Sequence, residues 1–409
     1  MTGEWLVLLE SNTTGTGRLF CAAARRLGMR PVVLARDPGR YGYLATDGVE
    51  TRTVDTEDGD ALWATCAGLP GRIAGVTSSS EYFIAMAAEL AARHGLPHPD
   101  PAAVRACRDK ESQRRRLRAA GLPGPAFQIA TTPADAVPAA AGIGLPVVVK
   151  PVAGSGSIGI RLCESVAAVR AAAAAVLNVA DLALPPQRAV LVEEYLRGPE
   201  FSVETFDDRV IGVTAKHLGA LPYFVETGHD FPAAAPSADL GATALAALRA
   251  LGLGWGAAHV EIRRTTAGPR VIEVNPRLAG GMIPRLVVLA SGIDLIESLT
   301  AKAAGIHRPI RSTRSGSASI RFLVASSAGR LAGVDGESAA RAVPGVVEVG
   351  ITGVPGQVVV PRHSFQDRLG YVIASAGTSS VAARAAEDGL RRLAARITPA
   401  DLATESAVG

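Results

Sequence analysis

Two glutamates in the middle of the chain are spaced to hold a cation. Segments 257–264 and 270–275 read as strands joined through residues 265–269. Period-two alternation puts His259, Glu261 and Arg263 on one face and Val260 and Ile262 on the other. On the second strand Glu273 and Asn275 share a face, while Ile272 and Val274 point to the core. A turn centred near Ala267 then sets Glu261 opposite Glu273. Carboxylates directly opposed across a hairpin repel. A divalent cation between them removes the repulsion, and Asn275 adds a neutral oxygen. Few ligands, all of them oxygen, suit Mg²⁺ held jointly with phosphates. The other reading is a solvated hairpin face whose carboxylates pair with Arg263 and Arg277.

Two further segments carry chemistry of their own. From Leu145 an apolar strand runs to Lys150 and opens into Gly154, Ser155, Gly156, Ser157 and Gly159. Glycines let backbone N–H groups approach phosphate oxygens, and serine hydroxyls add donors. It is not a Walker A loop, because the lysine precedes the glycines on a strand; the bland alternative is a flexible hairpin tip. The second segment, Val190 to Glu200, emerges from an apolar strand into Glu193, Glu194, Tyr195 and Leu196 and stops at Gly198 and Pro199. It can offer backbone groups to a base edge and a carboxylate to ribose hydroxyls, or simply be a strand end with solvated acids.

Lysine is scarce. Only Lys110, Lys150, Lys216 and Lys302 occur among 42 basic residues, so arginine serves wherever a charge merely solvates the surface. Each lysine thereby marks a place where a compact, flexible ammonium is wanted.

These residues need a frame, and the pattern predicts an α/β one. Residues 1–100 alternate strands (5–9, 31–35, 73–76) with helices (17–27, 81–93), the rhythm of a doubly wound parallel sheet. Thr14, Gly15, Thr16 and Gly17 follow the first strand and Asp37 the second. Phe20 occupies the place of the third glycine of a dinucleotide fingerprint, so a tight strand-to-helix turn is favoured over a nicotinamide or flavin site. A basic helix is expected at 104–120, inside a proline-punctuated connection. Beyond it come strands at 146–150, 190–195, 201–205 and 210–214 around one alanine-rich helix, 165–179. Residues 238–310 read as helix, hairpin, helix, and the remainder as strands with two helices.

Bulk properties narrow the field. At 409 residues the chain exceeds one ordinary core, and its 42 basic and 38 acidic residues are spread without a Lys/Arg block. That distribution gives no electrostatic footprint for nucleic acid. Cys21, Cys66, Cys107 and Cys163 lie far apart and read as free thiols of a reducing compartment. With no apolar stretch long enough to span a bilayer, a soluble cytoplasmic protein without membrane partners is expected.

Taken in order and spacing, these segments resemble the ATP-grasp superfamily along essentially the whole chain. The resemblance implies a Rossmann-like N-terminal domain (1–100), a linker helix (101–125), a glycine-loop lid (126–200), a metal and substrate domain (201–316) and a C-terminal closing subdomain (317–409). Lys110, within Arg108, Asp109, Lys110 and Glu111, looks like the first ATP lysine and Lys150 the second. Gly154, Ser155, Gly156 and Ser157 would cover the phosphates. Glu193 to Leu196, including Glu194 and Tyr195, would form the adenine hinge, and Glu200 would bind ribose. Glu261, Glu273 and Asn275 match the magnesium ligands, and Arg277 an arginine that binds phosphate or carboxylate.

The finer resemblance is to the L-amino-acid ligases, through Tyr223 to Pro232 and through Asp367 to Val372. There Glu226 and His229 would face the substrate, holding an amino group or assisting proton transfer. Glycines at 280 and 281 imply a roomy acyl pocket, and Arg285 a second anion contact or a surface charge. The implied activity is ADP-forming ligation through an acyl phosphate, using ATP and two Mg²⁺ ions for which Mn²⁺ can substitute. Its partners are a small carboxylate and an amine, one or both of them amino acids. Oligomeric state is left open, a homodimer included. The alternatives are an ATP-grasp carboxylase or purine-pathway ligase, and a non-catalytic ATP-binding regulator.

Overall fold

The computed structural model describes residues 3–12, 16–178, 186–234 and 238–399. Thr14 and Gly15 of the first turn, and Val179 at the end of the alanine-rich helix, lie outside them. The N-terminal sheet is parallel, with strands in the order Glu50–Thr53, Arg30–Ala35, Trp5–Leu9, Ile73–Thr77. Its first strand is buried throughout, and alternation divides it between two cores. Trp5, Val7 and Leu9 pack with Leu62, Leu90 and Ala91, whereas Leu6 and Leu8 pack with Phe20 and with Leu286, Leu299 and Ile320 far along the chain. Strand Glu50–Thr53 and helix Gly59–Ala67 are additions to the sequence pattern, and the last helix begins at Ile84.

The single helix expected at 104–120 is two, Pro101–Cys107 and Lys110–Ala119. Aspartates account for the break. Asp100 caps the first helix ahead of Pro101, and the Asp109 carboxylate accepts from the Ser112 amide to start the second. Lys110 thereby stands at a helix start, its amide bonded to Val152 O. Gln113 ties this helix to the hairpin of strands Ala257–Thr265 and Gly268–Asn275, donating to Val274 O (2.9 Å) and accepting from Val274 N (2.9 Å).

Strands Phe127–Ala130, Val190–Glu194, Val147–Pro151 and Arg161–Cys163 form a four-stranded antiparallel sheet in that order. Two helices back it, where one was expected: Val166–Leu177 and Ala136–Ile143, which contains Pro138 in its first turn. Val147, Val149, Val190 and Val192 face those helices, which leaves Val148, Lys150 and Glu193 on the open side.

The largest sheet has eight strands, ordered Gly268–Asn275, Ala257–Thr265, Glu200–Phe206, Arg209–Leu218, Glu226–Phe231, Ser317–Val324, Arg368–Ala376, Val346–Ile351. The domain boundary expected at 316/317 falls within it, and the sheet passes across that point unbroken. After the hairpin come two helices, Ile283–Ser291 and Leu295–Ala303, where one was read. They pack under the N-terminal sheet.

Candidate active site

The open side of the lid sheet faces the hairpin across a cleft of about 930 Å³. On the lid side Lys150 Nζ lies 2.6 Å from Glu193, which also pairs with Arg114. Burial lowers the Lys150 pKa, against the pull of the Glu193 charge. Burial works the other way on Glu193, yet Arg114 and Lys150 hold it below the usual carboxylate range. Lys110 Nζ reaches Gly154 O at 2.7 Å and Glu273 at 3.2 Å, and so joins loop to hairpin. In the loop Ser157 has φ +63, a region costly for a side chain, and its hydroxyl donates to Phe224 O at 2.8 Å. Gly156 has φ +67 and lies so close to the Phe365 ring that a Cβ would meet it at 2.3 Å.

Glu261 and Glu273 are paired directly across the hairpin. The expected register holds for an unexpected reason. The turn is Thr266–Ala267, half a residue short of the assumed centre, and a shift between Glu261 and Ile262 restores the offset. Repulsion between the carboxylates is met by lysines instead of the arginines considered: Lys216 is 3.2 Å from Glu261 and Lys110 is 3.2 Å from Glu273. Arg263 pairs with Glu200 and Arg277 with Glu81. Among the described residues no group of three His, Cys, Asp or Glu side chains is placed to hold a metal. Two carboxylates and the Asn275 amide instead fit a hard ion that takes its remaining oxygens from phosphates and water.

Lys216 is the hub of one end of the cleft. It is 2.8 Å from Glu226, 3.1 Å from Glu200 and 3.2 Å from Glu261. Burial alone would lower its pKa, but the three carboxylates raise it well above the ordinary value. Glu226 also meets Arg368 at 3.1 Å. Despite burial, Lys216 and Arg368 hold the Glu226 carboxyl well below its usual range. Arg277 Nε donates to Glu81 at 2.6 Å, and Arg108 stands 3.5 Å from the other Glu81 oxygen. Burial opposes ionisation of Glu81, yet these arginines and Ser155 bring its pKa to about 2.

Of the residues given nucleotide, metal or catalytic roles from sequence, all but His229 line this one cleft. His229 is completely buried behind Glu226, its Nε2 3.4 Å from that carboxylate and its ring edge-on to Phe322. A register shift between His217 and Leu218 brings Glu226 and His229 to one face, three residues apart. Burial lowers the His229 pKa and favours the neutral ring. Neither of its nitrogens has a hydrogen-bond partner. Gly281 does not widen the pocket as expected: with φ +58, its missing Cβ would lie 2.5 Å from His229 Nε2. Open space remains beside Gly280. Arg285 is a half-exposed surface charge paired with Glu348.

Lys216, Glu81, Arg263 and Arg368 were not picked out from sequence as site residues. The scarcity of lysine was the available signal for Lys216. Glu81 and Arg368 reach the site only through tertiary folding, from the N-terminal sheet and the C-terminal strands.

Comparison with known proteins now gives this architecture its class. An ATP-grasp domain model matches residues 143–285, and a model of L-amino acid ligase C-terminal domain 2 matches 321–398. The chain belongs to the ATP-grasp carbon–nitrogen ligase family. Amino-acid ligases are among the proteins it resembles, and its fold is that of an L-amino acid ligase from Bacillus licheniformis, with a TM-score of 0.79 at 21% identity over 97% of this chain and 100% of that one. It is 40% identical to the uncharacterized protein y4rH of Sinorhizobium fredii, over 92% of this chain and 80% of the relative. It is 30% identical to carnosine synthase 1 of Gallus gallus over 69% of this chain, but spans only 33% of that protein's length. No helix among the described residues is long and apolar enough to cross a membrane.

Proposed function

We propose that the protein activates a small carboxylate with ATP and joins it to an amine, an amino acid being one or both substrates. The observation that carries this reading is the convergence on one cleft of Lys110, Lys150, the 154–157 loop, the opposed Glu261 and Glu273, and Arg277. Lys110, Lys150 and the loop amides hold the phosphates. The segment Glu193, Glu194, Tyr195 and Leu196 borders the base, and Glu200 the ribose. Glu261, Glu273 and Asn275 would hold Mg²⁺, or Mn²⁺ in its place, which would supply neutralisation of charge on the phosphate oxygens.

Arg277, steadied by Glu81, steers the substrate carboxylate. Its oxygen attacks the γ-phosphorus, ADP leaves, and an acyl phosphate forms. The amine then attacks the acyl carbon, loses a proton, and phosphate departs. Glu226 holds the incoming amino group. The proton acceptor is His229, a neutral ring with Nε2 3.4 Å behind the Glu226 carboxylate. The Gly156–Phe365 contact closes the loop against the C-terminal segment, keeping water from the acyl phosphate. Four buried free cysteines accord with a cytoplasmic setting.

The test is incubation with ATP, Mg²⁺ and pooled amino acids, followed by phosphate assay and mass spectrometry. Amino-acid-dependent phosphate with a new amide mass, lost in Lys150→Ala and Glu273→Ala, is the expected result. ATP binding with no turnover over a wide range of acids and amines would contradict ligation.

A further inference from the structure

Behind Glu261 lies a buried polar chain that the chemistry above does not use. On one face of the eight-stranded sheet two cross-strand rows run side by side. Glu204, His259 and Asn275 form one row, and Ser202, Glu261 and Glu273 the other. Three of these six residues are the metal-ligand set; the other three support it from within. Glu204 is only 2% exposed. Its Oε1 accepts from Ser202 Oγ at 2.7 Å and Thr214 Oγ1 at 3.1 Å, and both its oxygens face His259 Nδ1, at 3.1 and 3.0 Å. The other ring nitrogen, Nε2, is 3.3 Å from Glu261 Oε1.

An enclosed carboxylate is expensive to keep, and well-packed apolar residues usually do as well for stability alone. Here its bonds serve to orient a ring. With Nδ1 turned to Glu204, Nε2 is left directed at Glu261, on the same oxygen that Lys216 approaches. Two donors fixed on Oε1 set the rotation of that carboxylate. We propose that Glu204 and His259 are positioning residues which orient Glu261 for the divalent cation that accompanies the nucleotide. This rests on Glu261, Glu273 and Asn275 being the metal ligands. Outer partners of this kind commonly change metal affinity by about 10–100-fold when removed.

The experiment is titration of the full chain with Mn²⁺, followed by the electron paramagnetic resonance signal of the free ion, in the presence of a non-hydrolysable ATP analogue. His259→Leu and Glu204→Gln are expected to weaken Mn²⁺ binding by about 10-fold or more. Nucleotide affinity measured in EDTA should stay within about two-fold. His259→Gln, whose amide nitrogen can stand near the position of Nε2, should recover most of the loss. Thr214→Val removes a bond to Glu204 without touching the ring and should leave Mn²⁺ affinity within about two-fold. Equal weakening by Thr214→Val would mean general loosening and would overturn the proposal. So would unchanged affinity in His259→Leu while Glu261→Ala abolishes binding. If Glu261→Ala itself binds Mn²⁺ normally, the metal assignment fails first, and that outcome is distinguishable from the other two.

Discussion

Glu261 and Glu273 face each other across adjacent strands, and each has a lysine ammonium 3.2 Å from its carboxylate. Four charges are thus balanced in a cleft floor where a doubly charged ion would do part of the same work. Lys216 serves two further carboxylates of the same cleft, Glu200 and Glu226. The two ends of the cleft are therefore coupled through one side chain.

Replacing Lys216 by Met removes the buried ammonium shared by three partly buried carboxylates. Loss of one partner of such a cluster costs about 3–5 kcal/mol. Thermal melts should show a large fall in stability, and added Mg²⁺ with ATP should raise the melting temperature of Lys216→Met by more than that of the wild type. Equal shifts would mean that the ammonium and the metal do not share Glu261.

Glu81 gives a pH dependence of definite sign. Its pKa in the folded protein is about 2, against an ordinary value of 4.5. A depressed carboxyl contributes stability that is present above the unfolded pKa and disappears as pH falls through the folded one. The contribution is on the order of 3 kcal/mol at neutral pH. Urea melts of wild type and Glu81→Gln should differ most above about pH 5 and converge towards pH 2–3. A difference independent of pH would contradict the ion pairing with Arg277.

Adjacent glycines should respond differently. Gly280→Ala enters open space and should fold normally. Gly281→Ala forces a Cβ to 2.5 Å from His229 in a left-handed backbone, and a loss of about 1–3 kcal/mol is expected. His229→Ala should restore part of that stability in the double variant, as residues in contact couple. Additive losses would show that the clash is relieved elsewhere.

His229 is also the candidate proton acceptor. Its removal should lower kcat by about 100-fold or more with little change in ATP binding. His229→Asn assayed by phosphate release from about pH 4 to 8 should lose the acidic limb of the wild-type profile, which a lowered histidine pKa places on the acid side of its ordinary value. An unchanged limb would assign the proton to another group.

How much of this was legible beforehand follows from the range of each interaction. The hairpin face was readable on its first strand because alternation along a strand is local; on the second, the bulge turns Ile272 to the cleft and puts Val271 in the core in its place. Its register came out right only because the Glu261–Ile262 shift cancelled a half-residue error in the turn. The break between the two basic helices was also local, written in Asp109 as a cap, but masked by a continuous run of helix formers. Helix Ala136–Ile143 was hidden by Pro138, which is tolerated in a first turn. The placement of Glu81 beside Arg277, 196 residues away, has no local signature. Nor has the burial of His229, which depends on Phe322 and Gly281 closing over it.

The central claim is an acyl-phosphate ligation, and the fate of one oxygen tests it most directly. Amino acids pooled with ¹⁸O in their carboxylates are incubated with the protein, ATP and Mg²⁺, and the released phosphate is examined by mass spectrometry. Attack of the carboxylate on the γ-phosphorus predicts one ¹⁸O in inorganic phosphate for each amide formed, with ADP as the other product. Amide formation with unlabelled phosphate, or with label in AMP, would show that the carboxylate is not activated in this way.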